Sequence, residues 1–219
     1  MIVAVCGGKG GVGKSTVALN LAAESGAVVV DADLGMANLP TARGPDLHDV
    51  LAGRAAPVEA VREGGRVPVL PCGRSLAGAR AADPAALVDC LERVDGAYGA
   101  VVVDCPAGLR ADAGLPLFAA DACVPVTTPA RPAVTDALRT RAAADEFDAG
   151  VLRVVLNRSG GETPAERVAR AFGALAVAVP ESAAVAEAQA AGRPVADLAP
   201  ASVPAERFAK LAGAVEELG

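Results

Sequence analysis

Apolar residues along this chain fall into short continuous runs. These are "IVAVCG" (2–7), "AVVVDAD" (27–33), "RVPVLPCG" (66–73), "GAVVVDCPAG" (99–108), "DACVPVTTP" (121–129), "VLRVVLNR" (151–158) and "ALAVAVPE" (174–181). Unbroken rather than alternating runs predict strands covered by helices on both faces. Between them the pattern turns helical, first in "STVALNLAAE" (15–24). Asp83-Pro84 reads as a cap and first turn that places Leu87, Leu91 and Val94 on one face. Thr163-Pro164 with Glu166 reads as a capping box opening a later helix. Strand alternating with helix throughout predicts an α/β fold: a doubly wound, mainly parallel sheet with helices on both faces. With no internal repeat and no low-complexity linker, residues 1–219 are expected to form a single domain.

Composition narrows the class. Of 219 residues, 53% are hydrophobic and 21% charged, which marks a globular chain. Aromatic residues are only 2%, with no tryptophan, so the core must be built from Ala, Val and Leu. The same scarcity argues against stacking platforms for single-stranded nucleic acid. A net charge of -6 disfavours DNA or an anionic membrane as partner for the whole surface, leaving only a local arginine patch open. No apolar run approaches a membrane span. The N-terminal "MIVAVCGG" has no basic leader and reads as a first strand, not a signal peptide. Five cysteines, at 6, 72, 90, 105 and 123, show no C-x-x-C and no metal-ligand spacing. They read as buried small hydrophobes in a reducing cytoplasm.

The chemistry begins at Gly8 to Ser15, "GKGGVGKS", which fits G-x-x-x-x-G-K-[ST] between a strand and a helix. Glycines let successive N–H groups turn inward as an anion cradle, and the helix N-terminus adds a favourable dipole. Gly8, Lys9, Gly10, Gly11, Val12, Gly13, Lys14, Ser15 and Thr16 are therefore candidate phosphate-binding residues. Lys14 would reach the β- and γ-phosphates, and the Ser15 hydroxyl would coordinate Mg²⁺. The competing reading is an ordinary glycine-rich turn. Only three of the twenty Lys and Arg residues are lysine, and two of those three lie in this loop. An ammonium fits a narrow backbone cradle better than the broad guanidinium fork does.

Lys9 occupies a position that the general motif leaves free, and on spacing alone it could be a solvated loop lysine. "KGGVGKST" resembles the deviant Walker A motif of the MinD/ParA family of P-loop ATPases, in its MinD-like branch. That resemblance implies that Lys9 crosses a dimer interface to the phosphates of the partner's nucleotide. The resemblance covers most of the chain, including "LHDVLAG" (47–53) and "VLPCG" (69–73). His48, the sole histidine, is expected to be a surface or interface residue and not a catalytic base.

Carboxylates follow two of the apolar runs, Asp31 and Asp33 after the second and Asp104 after the fourth. At the carboxyl ends of parallel strands they would point into the ligand crevice. Spacing does not separate Asp31 from Asp33; either could be a polar strand end capping a turn. The resemblance implies that Asp33 orients the attacking water, and that Asp104 is the Walker B residue holding Mg²⁺ through water. It implies a switch-region asparagine at Asn38, and Gly108 would let the following loop move. For the base, Asn157 and Arg158 end a late strand, and a carboxamide can pair with adenine N6 and N7. "NRSG" lacks the aspartate that reads guanine in related GTPases, which favours ATP. The family's segment after the last strand implies backbone at Pro180 and Glu181 beside the base.

The last helical stretch, 203–219, carries an apolar stripe of Phe208, Leu211, Val215 and Leu218. Its polar face sets Glu206, Glu216 and Glu217 against Arg207 and Lys210. A membrane-surface helix should be rich in cations, so this one is expected to pack on the sheet. Direct membrane binding is disfavoured, and recruitment to the cytoplasmic face would need a protein partner. Arg131, Arg139 and Arg141 could form a DNA patch, though scattered arginines on an acidic protein are more often salt-bridged. Iron–sulfur carrier relatives need a C-terminal cysteine pair, and no cysteine follows Cys123. Two function classes result. One is a cytoplasmic switch whose ATP-dependent homodimer acts in spatial positioning under an activating partner. The other is an ATP-dependent ligase or amidase of the same fold, a class that lacks the early lysine. Replacing Lys14 with alanine should abolish nucleotide binding in a calorimetric titration, and retained millimolar affinity would count against the cradle.

Overall fold

Each strand sends alternate residues to opposite faces, so a strand buried on both faces needs apolar residues at every position. β1 (Ile2–Cys6) shows this directly. Val3 and Val5 join one core layer, and Ile2, Ala4 and Cys6 join another. The computed structural model describes residues 1–35, 39, 43–108, 111–160 and 165–218. Asn38 and the Thr163-Pro164 cap lie outside the described residues, although a helix does begin at Ala165.

The remaining strands are β2 (Val28–Asp31), β3 (Val69–Leu70), β4 (Val101–Asp104), β5 (Ala122–Thr127), β6 (Gly150–Val151), β7 (Val154–Ser159) and β8 (Ala176–Pro180). They form one sheet in the order β3-β2-β4-β1-β5-β7-β8, with β6 beside β5, and every ladder is parallel. The run at 151–158, expected as one strand, is split into β6 and β7. From β1 the chain builds first towards β3 and then returns past β1 to β5 and beyond. The order thus reverses beside β1, and ligands of doubly wound sheets bind at the carboxyl ends of strands flanking such a point.

The helices are α1 (Lys14–Ser25), α2 (Leu47–Leu51), α3 (Pro57–Ala60), α4 (Leu76–Ala81), α5 (Leu87–Tyr98), α6 (Ala111–Ala119), α7 (Arg131–Glu146), α8 (Ala165–Phe172), α9 (Ala183–Ala190), α10 (Val195–Leu198) and α11 (Val203–Glu216). α1, α9, α10 and α11 cover one face of the sheet through Val17, Leu21, Ala188, Val195, Phe208 and Leu211. α2, α3, α5 and α6 cover the other through Leu47, Ala60, Leu91 and Leu117. Asp83 caps the turn that opens α5, accepting from Ala85 N at 3.0 Å, and Leu87, Leu91 and Val94 are buried as expected.

Helix α11 also behaves as expected. Phe208, Leu211 and Val215 are buried, and the helix packs against α1 and β8. Its apolar stripe is therefore consumed inside the protein, with only Leu218 exposed. No helix among the described residues is long and apolar enough to cross a membrane. Phe208 is one of only four phenylalanines and is 1% exposed. Phe208→Ala should lower unfolding stability by about 3 to 5 kcal/mol, read from the midpoint of urea denaturation.

Candidate nucleotide site

The glycine loop leaves β1 at Cys6 and enters α1 at Lys14. Two positions show why glycine is required. Gly13 caps α1 at φ 98°, a left-handed conformation that a side chain disfavours. At Gly8 a Cβ would collide with the Asp136 backbone on α7, so the loop lies directly against that helix. No side chain caps the first turn of α1, which leaves its N–H groups and dipole to whatever occupies the cleft.

That cleft has a volume of about 540 Å³. Gly10, Gly11, Gly13, Lys14, Ser15 and Thr16 line one side, and Asp33, Gly35, Ala107, Arg158 and Gln189 line the rest. Lys14 is 8% exposed, an uncommon state for a lysine without an anion to meet. Lys9, at the outer turn of the same loop, is exposed and does not line the cleft. It makes no ion pair among the described residues.

The carboxylates divide into different environments. Asp31 and Asp104 stand side by side in register on β2 and β4. Asp31 is fully buried and accepts the N–H groups of Leu39 (3.1 Å) and Asp33 (3.3 Å), so it shapes the turn leaving β2. Asp33 is half-buried and faces the cleft. The structure thus separates two residues that spacing left equivalent. Asp104 is 1% exposed, and neither of its carboxylate oxygens has a hydrogen-bond partner among the described residues. Burial pushes its pKa up to about 7, opposed by the Ser15 hydroxyl and the Lys14 ammonium, with the charges of Asp31 and Asp33 raising it further. No hydrogen bond of good geometry joins Asp104 to Ser15.

A glycine cradle at a helix N-terminus, a buried lysine and a buried orphan carboxylate together describe a nucleotide-phosphate site. The family described as the CobQ/CobB/MinD/ParA nucleotide binding domain matches residues 3–195. The chain belongs to that family. An uncharacterized ATP-binding protein of Methanocaldococcus jannaschii is 34% identical, over 98% of this chain and 89% of its own length. Among solved structures, the cell division ATPase MinD of Pyrococcus furiosus superposes with a TM-score of 0.92 at 32% identity, covering 100% of this chain and 99% of that one. The septum site-determining protein MinD of Pyrococcus horikoshii, in complex with Mg-ADP, does so with a TM-score of 0.92 at 30% identity, covering 99% and 96%.

Set within this MinD/ParA family fold, the residues expected at the base take different positions. Asn157 is 6% exposed, and its side-chain N–H group donates to the Val12 carbonyl at 2.8 Å. Its amide also fills the space that a Cβ at Gly13 would occupy. The bond to Val12 uses one N–H of the carboxamide and braces the glycine loop against the end of β7. Arg158 does reach the cleft. A register break in the β7–β8 ladder and a left-handed φ of 51° redirect it there, at a strain cost of about 1 to 3 kcal/mol. Pro180 closes β8 half-buried and Glu181 follows it exposed, and neither lines the 540 Å³ cleft.

Two further residues were not foreseen, and a third was expected elsewhere. Gln189 on α9 lines the cleft and accepts the Thr16 hydroxyl at 3.2 Å. Its one visible signal was to be the single amide in an alanine-rich helix. Asn20 donates to the Thr16 carbonyl at 2.7 Å and accepts Val195 N at 2.7 Å, tying α1 to α10. His48 is 2% exposed rather than a surface residue, because α2 turns it inwards against the loop after β3. All five cysteines are free and buried, as expected.

Burial makes the Asp104 carboxylate costly in its charged form. Its folded-state pKa is raised above the unfolded value of 3.8, so its contribution to stability is full below that value and is lost as pH rises towards 7. The loss is on the order of 4 kcal/mol. Asp104→Asn should raise the Tm of the nucleotide-free protein at pH 7.5 by a few degrees. It should also flatten the fall in Tm between about pH 4 and pH 7, which differential scanning calorimetry would read.

Proposed function

We propose that this protein is a MinD-like ATPase that acts as a dimerising switch in spatial positioning, with residues 1–219 as its ATPase domain. The observation that carries this reading is the contrast between the two loop lysines. Lys14 is buried beside the orphaned Asp104, where a nucleotide's phosphates and their cation would compensate both. Lys9 stands outside the cleft in solvent, which supports a role towards something other than its own nucleotide.

The donor set fits Mg²⁺ in the way a P-loop uses it. No cluster of three or more His, Cys, Asp or Glu side chains among the described residues could hold a metal alone. Ser15 would supply an oxygen directly and Asp104 would hold the ion through water, with phosphate and water as its other ligands. Bound there, Mg²⁺ would neutralise charge on the β- and γ-phosphates. Lys14 and the first turn of α1 would hold those phosphates, and Asp33 would orient the attacking water. Gly108, at φ 89°, would allow the loop after β4 to rearrange when the γ-phosphate leaves. Asn157 and Arg158, with backbone at Pro180 and Glu181, would flank the adenine, with Asn157 also bracing the loop. Hydrolysis would be slow and stimulated by a protein partner, since positioning and electrostatics supply all of the catalysis.

The surface features support a protein partner over a membrane or DNA. The stripe of α11 is buried, which favours recruitment to the cytoplasmic face of the membrane through another protein. On α7, Arg139 pairs with Asp136 at 3.0 Å and Arg141 with Asp145 at 3.5 Å. That leaves Arg131 alone of the three without an ion pair among the described residues.

The test is the mass of the Asp33→Ala protein by light scattering, first with ATP and then with ADP. Dimer with ATP and monomer with ADP is the expected result, and an unchanged mass would redirect the search to a small-molecule substrate. In the same background, Lys9→Ala should leave nucleotide affinity within about twofold while abolishing the dimer. A dimer that persists would remove Lys9 from the interface.

A further inference from the structure

A second set of buried polar groups lies on the far side of Asp33 from the nucleotide cleft. Cys72 follows β3, and its thiol donates to the Asp33 carbonyl at 3.1 Å. His48, on α2, lies within 3.0 Å of the Leu34 carbonyl through Nε2. A carbonyl oxygen only accepts, so Nε2 carries the proton. The same nitrogen lies 3.6 Å from Cys72 Sγ. Two side chains from different elements therefore hold two consecutive carbonyls of the turn that presents Asp33.

The surroundings are built to admit that ring. A Cβ at Gly73 would collide with His48 Nδ1, and one at Gly78 would stand 3.1 Å from the same atom. Gly73 has an ordinary φ, so it is the ring's edge and not backbone strain that excludes a side chain there. α2 is itself locked, through the Asp46–Asp49 capping box and through Leu47 N donating to the Pro71 carbonyl at 2.9 Å. Gly35 lines both the nucleotide cleft and a pocket of about 220 Å³ that reaches His48 and Gly73. Residues 33–35 are thus a partition between the two spaces. Burial and the charges of Asp31, Asp33 and Asp46 push the Cys72 thiol up to about 12, so at neutral pH it keeps the proton it donates.

We propose that His48 and Cys72 are positioning residues for hydrolysis, fixing the Asp33–Leu34 backbone so that the Asp33 carboxylate is held at the nucleotide cleft. The assignment rests on the reading of Asp33 given above. Neither side chain touches the nucleotide space, so their removal affects turnover through the placement of Asp33 and leaves binding by the glycine loop intact. A displacement of order 1 Å at such a group is worth up to about a hundredfold in rate.

The experiment uses the full chain with Mg-ATP and compares Cys72→Ala, Cys72→Ser, His48→Gln and Gly73→Ala. In the three variants that disturb the pair (Ala at 72, Gln at 48, Ala at 73), kcat should fall about tenfold or more with nucleotide Kd within about twofold. Cys72→Ser keeps a hydroxyl donor and should recover most of the rate, which a merely structural loss would not allow. Combined with Asp33→Ala, His48→Gln should cost nothing further. Hydrogen exchange read at residues 33–35 of the nucleotide-free protein should accelerate at least tenfold in Cys72→Ala and His48→Gln, with β1 amides unchanged. Unchanged exchange at 33–35 would overturn the proposal whatever Asp33 does. So would wild-type kcat in the variants, or losses additive with Asp33→Ala. If exchange accelerates but Asp33→Ala itself turns over normally, the catalytic reading of Asp33 falls and the positioning role in turnover falls with it, while the backbone tether stands.

Discussion

A carboxylate buried without a partner governs this structure. Asp104 ends β4 in the middle of a parallel sheet, beside the equally buried Asp31, and among the described residues neither Asp104 oxygen has a donor. Burying charge is tolerated only where something compensates it. Lys14 contributes part of that compensation, and the first turn of α1 faces the same space. The buried carboxylate therefore costs stability at the same place where phosphate and cation charge would be held. Much of the remaining architecture keeps these groups in place: the close approach of Gly8 to α7, the brace of Asn157 under Val12 and the knot of Thr16, Asn20 and Gln189.

Most of the fold was legible in the sequence because a sheet covered on both faces writes continuous apolar runs. Such runs give strand positions and, through the intervening helical stretches, parallel topology. They could not show that 151–158 divides into two strands, since Leu152 and Arg153 break the ladder without breaking the hydrophobic pattern enough to be noticed. The glycine loop was legible for a different reason: its residue types are dictated by close packing and a left-handed cap.

The rest of the site depends on side-chain direction, which no local pattern records. Asp31 and Asp33 are two residues apart and look alike, yet one shapes a turn and the other faces the cleft. Asn157 and Arg158 are neighbours, and a single break in register turns the first under the loop and the second into the open. His48 was misplaced because a short helix of five residues gives no periodicity to read. Its burial becomes visible only when the glycines at 73 and 78 are brought against it by the fold.

The order of strands has a consequence for how the protein is made. β1 is central, yet its neighbours in the sheet begin at Val101 and Ala122, roughly a hundred residues later in the chain. During synthesis the N-terminal glycine loop therefore emerges well before the strands that position it. Parallel pairing over such separations closes late and slowly. A nascent chain released before β5 lacks one neighbour of β1 and the α7 backbone that Gly8 packs against, so the phosphate-binding loop is among the last parts of the molecule to acquire its shape.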